Sequence, residues 1–443
     1  MLTLLVKVRT LARSAMPSLV PVFRMVSSRG GKNFVLGNSG LVSWTMSTTD
    51  IPKQVKEVFI VSACRTPIGS FRSAFASMKA AELGSVAIKA AVKRAAIKPD
   101  LVQEVYMGNV LQAGVGQAPA RQACLGAGLS VNVPATTINK VCASGLKAVM
   151  LGTQNLMCGQ QEVMVVGGME SMSNVPFYIP RGEIPYGGGR MIDGLVHDGL
   201  WDAYKDIHMG ECAENTASIL KITREDQDVY AFESYRRAAA AWANGVYANE
   251  VIPVTVKQPN GVDRVISEDE EYTKVKFDKF STLRPAFKKD GGTITAANAS
   301  TLSDGACALV LMTAEAADKA HVKPLAKVVA FADASVQPID FPVAPSHAMQ
   351  KILNQCELDK SAIGLWEINE AFSVVALANI KLMGLKPDLV NVHGGAVSLG
   401  HPLGMSGARL VTHLVHTLKH GQKGMVGICN GGGGASAMMI ERL

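Results

Sequence analysis

Apolar and polar residues alternate along this chain in two rhythms. Val58-Phe59-Ile60-Val61-Ser62-Ala63 is a short apolar run, and Glu162-Val163-Met164-Val165-Val166-Gly167 is another that ends at glycines. Runs this short and this rich in β-branched residues predict buried strands. Elsewhere the spacing lengthens. Residues Ala81–Ala96 predict a helix, and over Ser144–Cys158 the positions Leu146, Val149, Met150, Thr153, Leu156 and Met157 share one helical face. Helices are also predicted over Arg224–Asn244 and Phe372–Met383, and a strand over Val426-Gly427-Ile428. Such alternation points to an α/β architecture with both sheet faces covered.

The texture changes over residues 174–295, where Pro, Gly, Tyr and charge mix around a few helices. That stretch reads as an insertion carrying binding loops. Apolar α/β texture resumes near Ala296. The last third then repeats the first in outline, with Glu162–Gly168 and Met425–Gly434 as matching late strands that run into glycines. No run of about 18 apolar residues exists, so no membrane span is expected.

Composition sharpens the picture at the N-terminus. The chain has 443 residues, 48% hydrophobic and only 18% charged, enough for a large core and with little scope for disorder beyond the start. Its formal charge of +7 is concentrated there: Lys7, Arg9, Arg13, Arg24, Arg29 and Lys32 face one acid, Asp50, which leaves only +2 for the rest. The basic balance is therefore no sign of nucleic-acid binding. Cations alternating with Leu4, Leu5, Val8 and Leu11 suit a basic amphipathic helix, so residues 1–50 read as a disordered transit leader for mitochondrial import, with Met46 a candidate internal start.

Eight cysteines are scattered without a C-x-x-C pair, which argues against zinc ribbons and redox motifs. Only two have surroundings that suggest chemistry. Cys142, in Asn139-Lys140-Val141-Cys142-Ala143-Ser144-Gly145, falls at a helix N-terminus, where the dipole favours thiolate. The plain alternative is an inert cysteine at a strand–helix junction. Cys429 opens Cys429-Asn430-Gly431-Gly432-Gly433-Gly434, a loop rich in exposed N–H groups. A dinucleotide fingerprint fits that loop poorly. Between them His401 stands in a glycine-dense loop, Gly394-Gly395 to Gly404, stiffened by Pro402, where a neutral imidazole can take a thiol proton. Asn369 precedes an apolar helix, and on its own reads as an N-cap. His208 and Cys212 are four apart but lack further ligands for a metal.

These segments and their order resemble the thiolase family, from about Val55 to Leu443. The resemblance implies a duplicated, layered α/β fold: two βαβαβαββ halves in α-β-α-β-α layers, with an inserted loop domain. Its parts would be an N-terminal half over 55–173 plus 296–325, an insertion over 174–295, and a C-terminal half over 326–443. It implies cleavage of acetoacetyl-CoA through an acetyl-cysteine, as in the short-chain mitochondrial members. Cys142 would accept the acetyl group, His401 would activate it, and Cys429 would be the acid/base at the α-carbon. Asn369 would hold a water with His401 in one oxyanion hole, and the N–H groups of Cys142 and Gly431 would form another. Coenzyme A enters as substrate, against His208, Met209, Tyr235, Lys274, Val275, Lys276, Lys279 and Ser300, although this family usually has Arg and Asp where Lys274 and Lys276 stand. A potassium ion would lie at Tyr235, Ala296, Ala297, Ala299 and Val397, mostly on backbone carbonyls. The pair Phe341-Pro342 resembles members that also accept 2-methylacetoacetyl-CoA. No covalently bound cofactor and no nucleic-acid partner are implied, and assembly would be a homotetramer in the mitochondrial matrix. The alternatives are a broader-chain 3-ketoacyl-CoA thiolase, a ketosynthase relative and a non-catalytic acyl-CoA carrier.

Overall fold

The computed structural model describes residues 55–258 and 261–443, and the backbone of 25–28 and 31–34. The chain divides at Gln54, and residues from Val55 onward form one compact unit. Most of the basic leader, with Lys7, Arg9, Arg13 and Met46, lies outside the described residues. Within the leader, Met25–Ser28 pairs antiparallel with Gly31–Phe34, where the sequence reading expected no element. Val26 and Phe34 suit extended backbone.

Among the described residues ten strands form one sheet, nine of them along a path in two groups, with Gly69–Ser70 paired to Ser303–Thr313 beside it. In the first group the order is Ala135–Ile138, Glu104–Gly108, Val163–Ser171, Ser303–Thr313 and Val58–Arg65. In the second it is Ala326–Ser335, Gly434–Arg442, Lys423–Asn430 and Ile363–Ile368. Among the described residues, two ladder pairs join the groups, Ala326 with Ile60 and Lys327 with Phe59. Each group repeats one plan. Val163–Ser171 lies parallel to Glu104–Gly108 and antiparallel to Ser303–Thr313, and Lys423–Asn430 lies parallel to Ile363–Ile368 and antiparallel to Gly434–Arg442.

Helices Ser144–Met157 and Leu403–Thr417 pack together in the core, and every residue from Leu403 to Val415 is buried. A helix buried on every face, here including Arg409 and His413, belongs between layers. Helix Ala80–Arg94 covers the first strand group and Ala344–Gln355 the second. Residues 174–295 form helices Met209–Leu220 and Arg224–Ala243 among two- and three-residue strand pairs.

Two expectations need correction. The strand beginning at Val163 does not end at the glycines but runs to Ser171, fully buried. Gly168 is there because the carbonyl of Gly404 occupies the space a Cβ would fill. Nor does Asn369 cap a helix: Phe372 is the N-cap of Ser373–Met383, and Asn369 lies buried just beyond the strand Ile363–Ile368.

Candidate active site

Cys142 follows a strained turn. Val141 has φ +47°, a left-handed backbone that a β-branched residue rarely adopts, at a cost of about 1–3 kcal/mol. Neighbours hold it there. The Asn139 side chain accepts from Val141 N at 3.0 Å, and the Ser144 hydroxyl accepts from Lys140 N at 2.8 Å while donating to Val141 O at 2.5 Å. The helix starts two residues after Cys142, so the thiol sits where the dipole favours its anion. Part of the residue opens on a cavity, but burial pushes the thiol up to about 12. The N–H groups of Gly431 and of Cys142 itself pull the other way. The resting group is a neutral thiol that needs a base.

His401 lines the same cavity and is the candidate base. It is 4% exposed, and its Nδ1 lies 2.6 Å from the Ser406 hydroxyl. That hydroxyl donates to Pro402 O at 2.9 Å, so its lone pair is left for Nδ1–H. The basic lone pair therefore sits on Nε2, which faces the Asn369 amide at 3.4 Å. Burial, with the charge of Arg409 second, pushes the imidazole down to about 3 and keeps it neutral. Asn369 is fully buried, and its Oδ1 has no partner among the described residues. Such an acceptor calls for a donor, a water or a ligand.

Glycines let the His401 loop meet the Cys142 helix. A Cβ on Gly145 would lie 2.6 Å from the Gly404 carbonyl oxygen and 3.0 Å from Ala408 N. Glu170, fully buried, ties the same place together: its carboxylate accepts from Gly404 N at 2.9 Å, Val110 N at 3.0 Å and Asn109 Nδ2 at 2.7 Å. Burial raises that carboxyl to about 7 against these hydrogen bonds.

Cys429 is fully buried on the strand Lys423–Asn430, opposite Ala435. Burial drives its pKa well above the ordinary thiol value, and Cys142, when ionised, adds to the rise. Gly432 and Gly433, both at φ +81°, make the turn that follows.

A cavity of about 380 Å³ gathers Cys142, His401, Gly431, His208, Met209, Ser300 and Phe341 on its walls. His208 Nδ1 accepts from Gly210 N at 3.0 Å and the ring stacks on Phe287 at 4.6 Å. Burial lowers its pKa. Phe341, 2% exposed, belongs to the short helix Pro338–Val343. A second cleft shares Ala299, Ser300 and Phe287 with the first and adds Lys274 and Ala296. Lys274 also donates to the Ser70 hydroxyl. Lys276 and Lys279 are exposed and line neither cleft. Tyr235, Ala297 and Val397 share one buried cluster, with Val275 packed against it. Among the described residues no group of three or more His, Cys, Asp or Glu side chains is placed to hold a metal. Sequence reasoning missed Ser406, Glu170, Met172, Phe287 and Leu403. A serine in the first turn of the helix after Gly-His-Pro is the one signal that could have pointed to Ser406.

The thiolase N-terminal domain matches residues 58–315 and the thiolase C-terminal domain residues 322–442. The chain is 62% identical over 392 residues to Acetyl-CoA acetyltransferase B, mitochondrial, of Xenopus laevis, spanning 88% of this chain and 93% of that protein. It is 60% identical to the Bos taurus Acetyl-CoA acetyltransferase, mitochondrial, over 88% of this chain and 92% of that one. Among solved structures, a thiolase from Ascaris suum in complex with coenzyme A superposes with TM-score 0.85 at 51% identity, covering 88% of this chain and all of that one. The Bacillus anthracis acetyl-CoA acetyltransferase gives TM-score 0.86 at 37% identity, with the same 88% coverage.

Proposed function

The chain belongs to the thiolase family, and from that premise we propose that it is a mitochondrial acetyl-CoA acetyltransferase that reversibly cleaves acetoacetyl-CoA. The observation that carries this is the meeting of Cys142, His401 and the Gly431 N–H around one cavity, with Cys429 behind it. In the degradative direction the Cys142 sulfur attacks the 3-keto carbon, and its proton passes to His401 Nε2. The bond between C2 and C3 breaks. Its electron pair goes to C2 of the departing acetyl-CoA, where Cys429 delivers a proton. Free CoA then gives its thiol proton to the Cys429 thiolate and takes the acetyl group, and Cys142 recovers its proton from His401. The Asn369 amide, with His401, and the Gly431 N–H are placed to stabilise the oxyanions, a contribution of about 3–4 kcal/mol per donor in other enzymes.

Coenzyme A would enter along the second cleft, past Ser300 and Lys274. Potassium fits this chain: the carbonyls of Ala296, Ala297 and Val397 accept no backbone hydrogen bond among the described residues, and carbonyls are the ligands this ion takes. When bound it supplies positive charge that stiffens the wall beside Ser300. The exposed apolar side chains Phe177, Ile179, Ile184, Tyr186 and Met191, and the sheet-edge strand Ala135–Ile138, support assembly of several copies, read here as a tetramer. A fatty-acid chain-length role is not favoured, because the relatives at 60–62% identity are acetyl-CoA acetyltransferases by name. Steady-state thiolysis compared across acyl chain lengths, with and without potassium, tests the reading. Activity highest on acetoacetyl-CoA supports it, and equal or greater activity on long chains contradicts it.

A further inference from the structure

The two sulfurs come from different halves of the chain, yet they must act on adjacent carbons of one substrate. Positions of this kind need to be held within about 0.5 Å. Within the sheet the two strand groups are joined, among the described residues, by two residue pairs far from the site, so contacts nearer the sulfurs bear on their register. Beside the Glu170 contact with Gly404, a second side chain touches both sides. Asp333, on the strand Ala326–Ser335, receives Lys140 Nζ at 2.8 Å on Oδ1 and Lys147 Nζ at 2.6 Å on Oδ2. Lys140 stands two residues before Cys142, and Lys147 lies on the helix that follows it. The Ser436 hydroxyl, opposite Asp333 in the sheet, donates to Oδ1 at 2.6 Å and accepts from Lys140 Nζ at 2.8 Å. Lys140 Nζ also reaches Ala435 O at 3.0 Å, and Ala435 is the residue paired with Cys429.

We infer that Asp333 is a positioning residue that holds the Cys142 turn and the Cys429 hairpin in register. Resting on the proposed function, this deepens it by naming the tie between its two sulfurs. The tie bears on a strained segment, because Val141 sits between Lys140 and Cys142 at φ +47°. Burial raises the Asp333 carboxyl, but hydrogen bonds from Lys140, Lys147 and Ser436 outweigh it and bring the group down to about 2. Asp333 is therefore charged at neutral pH. Without that charge Lys140 and Lys147 repel each other, and the turn moves. Acetylation of Cys142 by acetyl-CoA asks of Cys429 only a proton for the departing CoA thiolate, a good leaving group that solvent can also protonate. Making or breaking the carbon–carbon bond needs both sulfurs.

The test uses the full-length enzyme as Asp333→Asn, Asp333→Glu and Ser436→Ala. Two rates are read: acetylation of Cys142 by acetyl-CoA, by mass spectrometry, and thiolysis of acetoacetyl-CoA. A displacement near 1 Å costs about a hundredfold in the affected step, so D333N is expected to lose at least about tenfold in thiolysis kcat, with KM little changed and acetylation nearly intact. D333E, which keeps the charge, recovers part of the loss. S436A shows a smaller loss of the same kind, which keeps the test open should D333N fail to fold. Equal losses in both steps, or none in either, overturn the inference alone. A wild-type enzyme inactive in both assays overturns the proposed function and this inference with it.

Discussion

The Nδ1 of His401 and the hydroxyl of Ser406 are 2.6 Å apart, and that contact decides which end of the imidazole is basic. Ser406 offers a lone pair because its own proton goes to Pro402 O. Ser406→Ala frees the ring to take the other tautomer and leaves a buried N–H unpaired. A buried unpaired group costs about 1–3 kcal/mol, so kcat should fall at least about fivefold, while Ser406→Thr keeps most of it. Thiolysis kinetics of the two variants check this, and an unchanged S406A would remove Ser406 from the account.

The pH dependence of the first half-reaction follows from two opposite shifts. His401 is pushed down to about 3, so it is neutral at any higher pH, and Cys142 is pushed up to about 12, so it is a thiol at any lower pH. Between pH 7.5 and 9.5 neither changes state. The rate of Cys142 acetylation by acetyl-CoA, which involves no free CoA thiol on the forward side, should be flat over that window. An inflection at about 8.5, the ordinary cysteine value, would show that Cys142 titrates as an exposed thiol does.

Gly145→Ala tests the interlock between the halves. The new methyl would lie 2.6 Å from the Gly404 carbonyl oxygen, with backbone on both sides and no flexible side chain to yield. Overpacking of this kind costs about 1–3 kcal/mol. A lower unfolding midpoint and a displaced His401 loop, seen as lost kcat, are expected. Wild-type stability would mean that the loop has slack.

Phe341 is buried on the cavity wall next to Pro342, and on the proposed reading it helps set substrate shape. Phe341→Met should lower turnover of 2-methylacetoacetyl-CoA more than that of acetoacetyl-CoA. One methyl of discrimination is worth about 1–3 kcal/mol. Equal losses on the two substrates, or no wild-type activity on the branched one, contradict the assignment.

Much of this was legible in the chain, for reasons that differ by residue. The apolar runs beginning near Val58, Val163 and Val426 all form strands, and the periodicity over Ser144–Cys158 forms a helix one residue shorter. Cys142, His401 and Cys429 stood out because each lies beside small residues that leave room for a ligand. Glu170 did not, because glycines before it read as the end of a strand, whereas they admit the Gly404 backbone. Asp333 was invisible for a different reason: an acid on a strand reads as solvent-facing until the two lysines from the other half are seen beside it. Asn369 looked like a cap because it precedes a helix, yet the cap falls at Phe372 and Asn369 turns to His401.

The central claim is that Cys142 carries the acetyl group, and the most direct measurement is mass spectrometry of the intact enzyme mixed with acetoacetyl-CoA, followed by peptide mapping. The account predicts one acetyl group on Cys142 in the wild type, its discharge on adding CoA, and none on Cys142→Ala. It also predicts that Cys429→Ala still takes an acetyl group from acetyl-CoA on Cys142 but forms no acetoacetyl-CoA. Acetylation persisting in the Cys142→Ala enzyme at another cysteine, or thiolysis surviving that substitution, would contradict it.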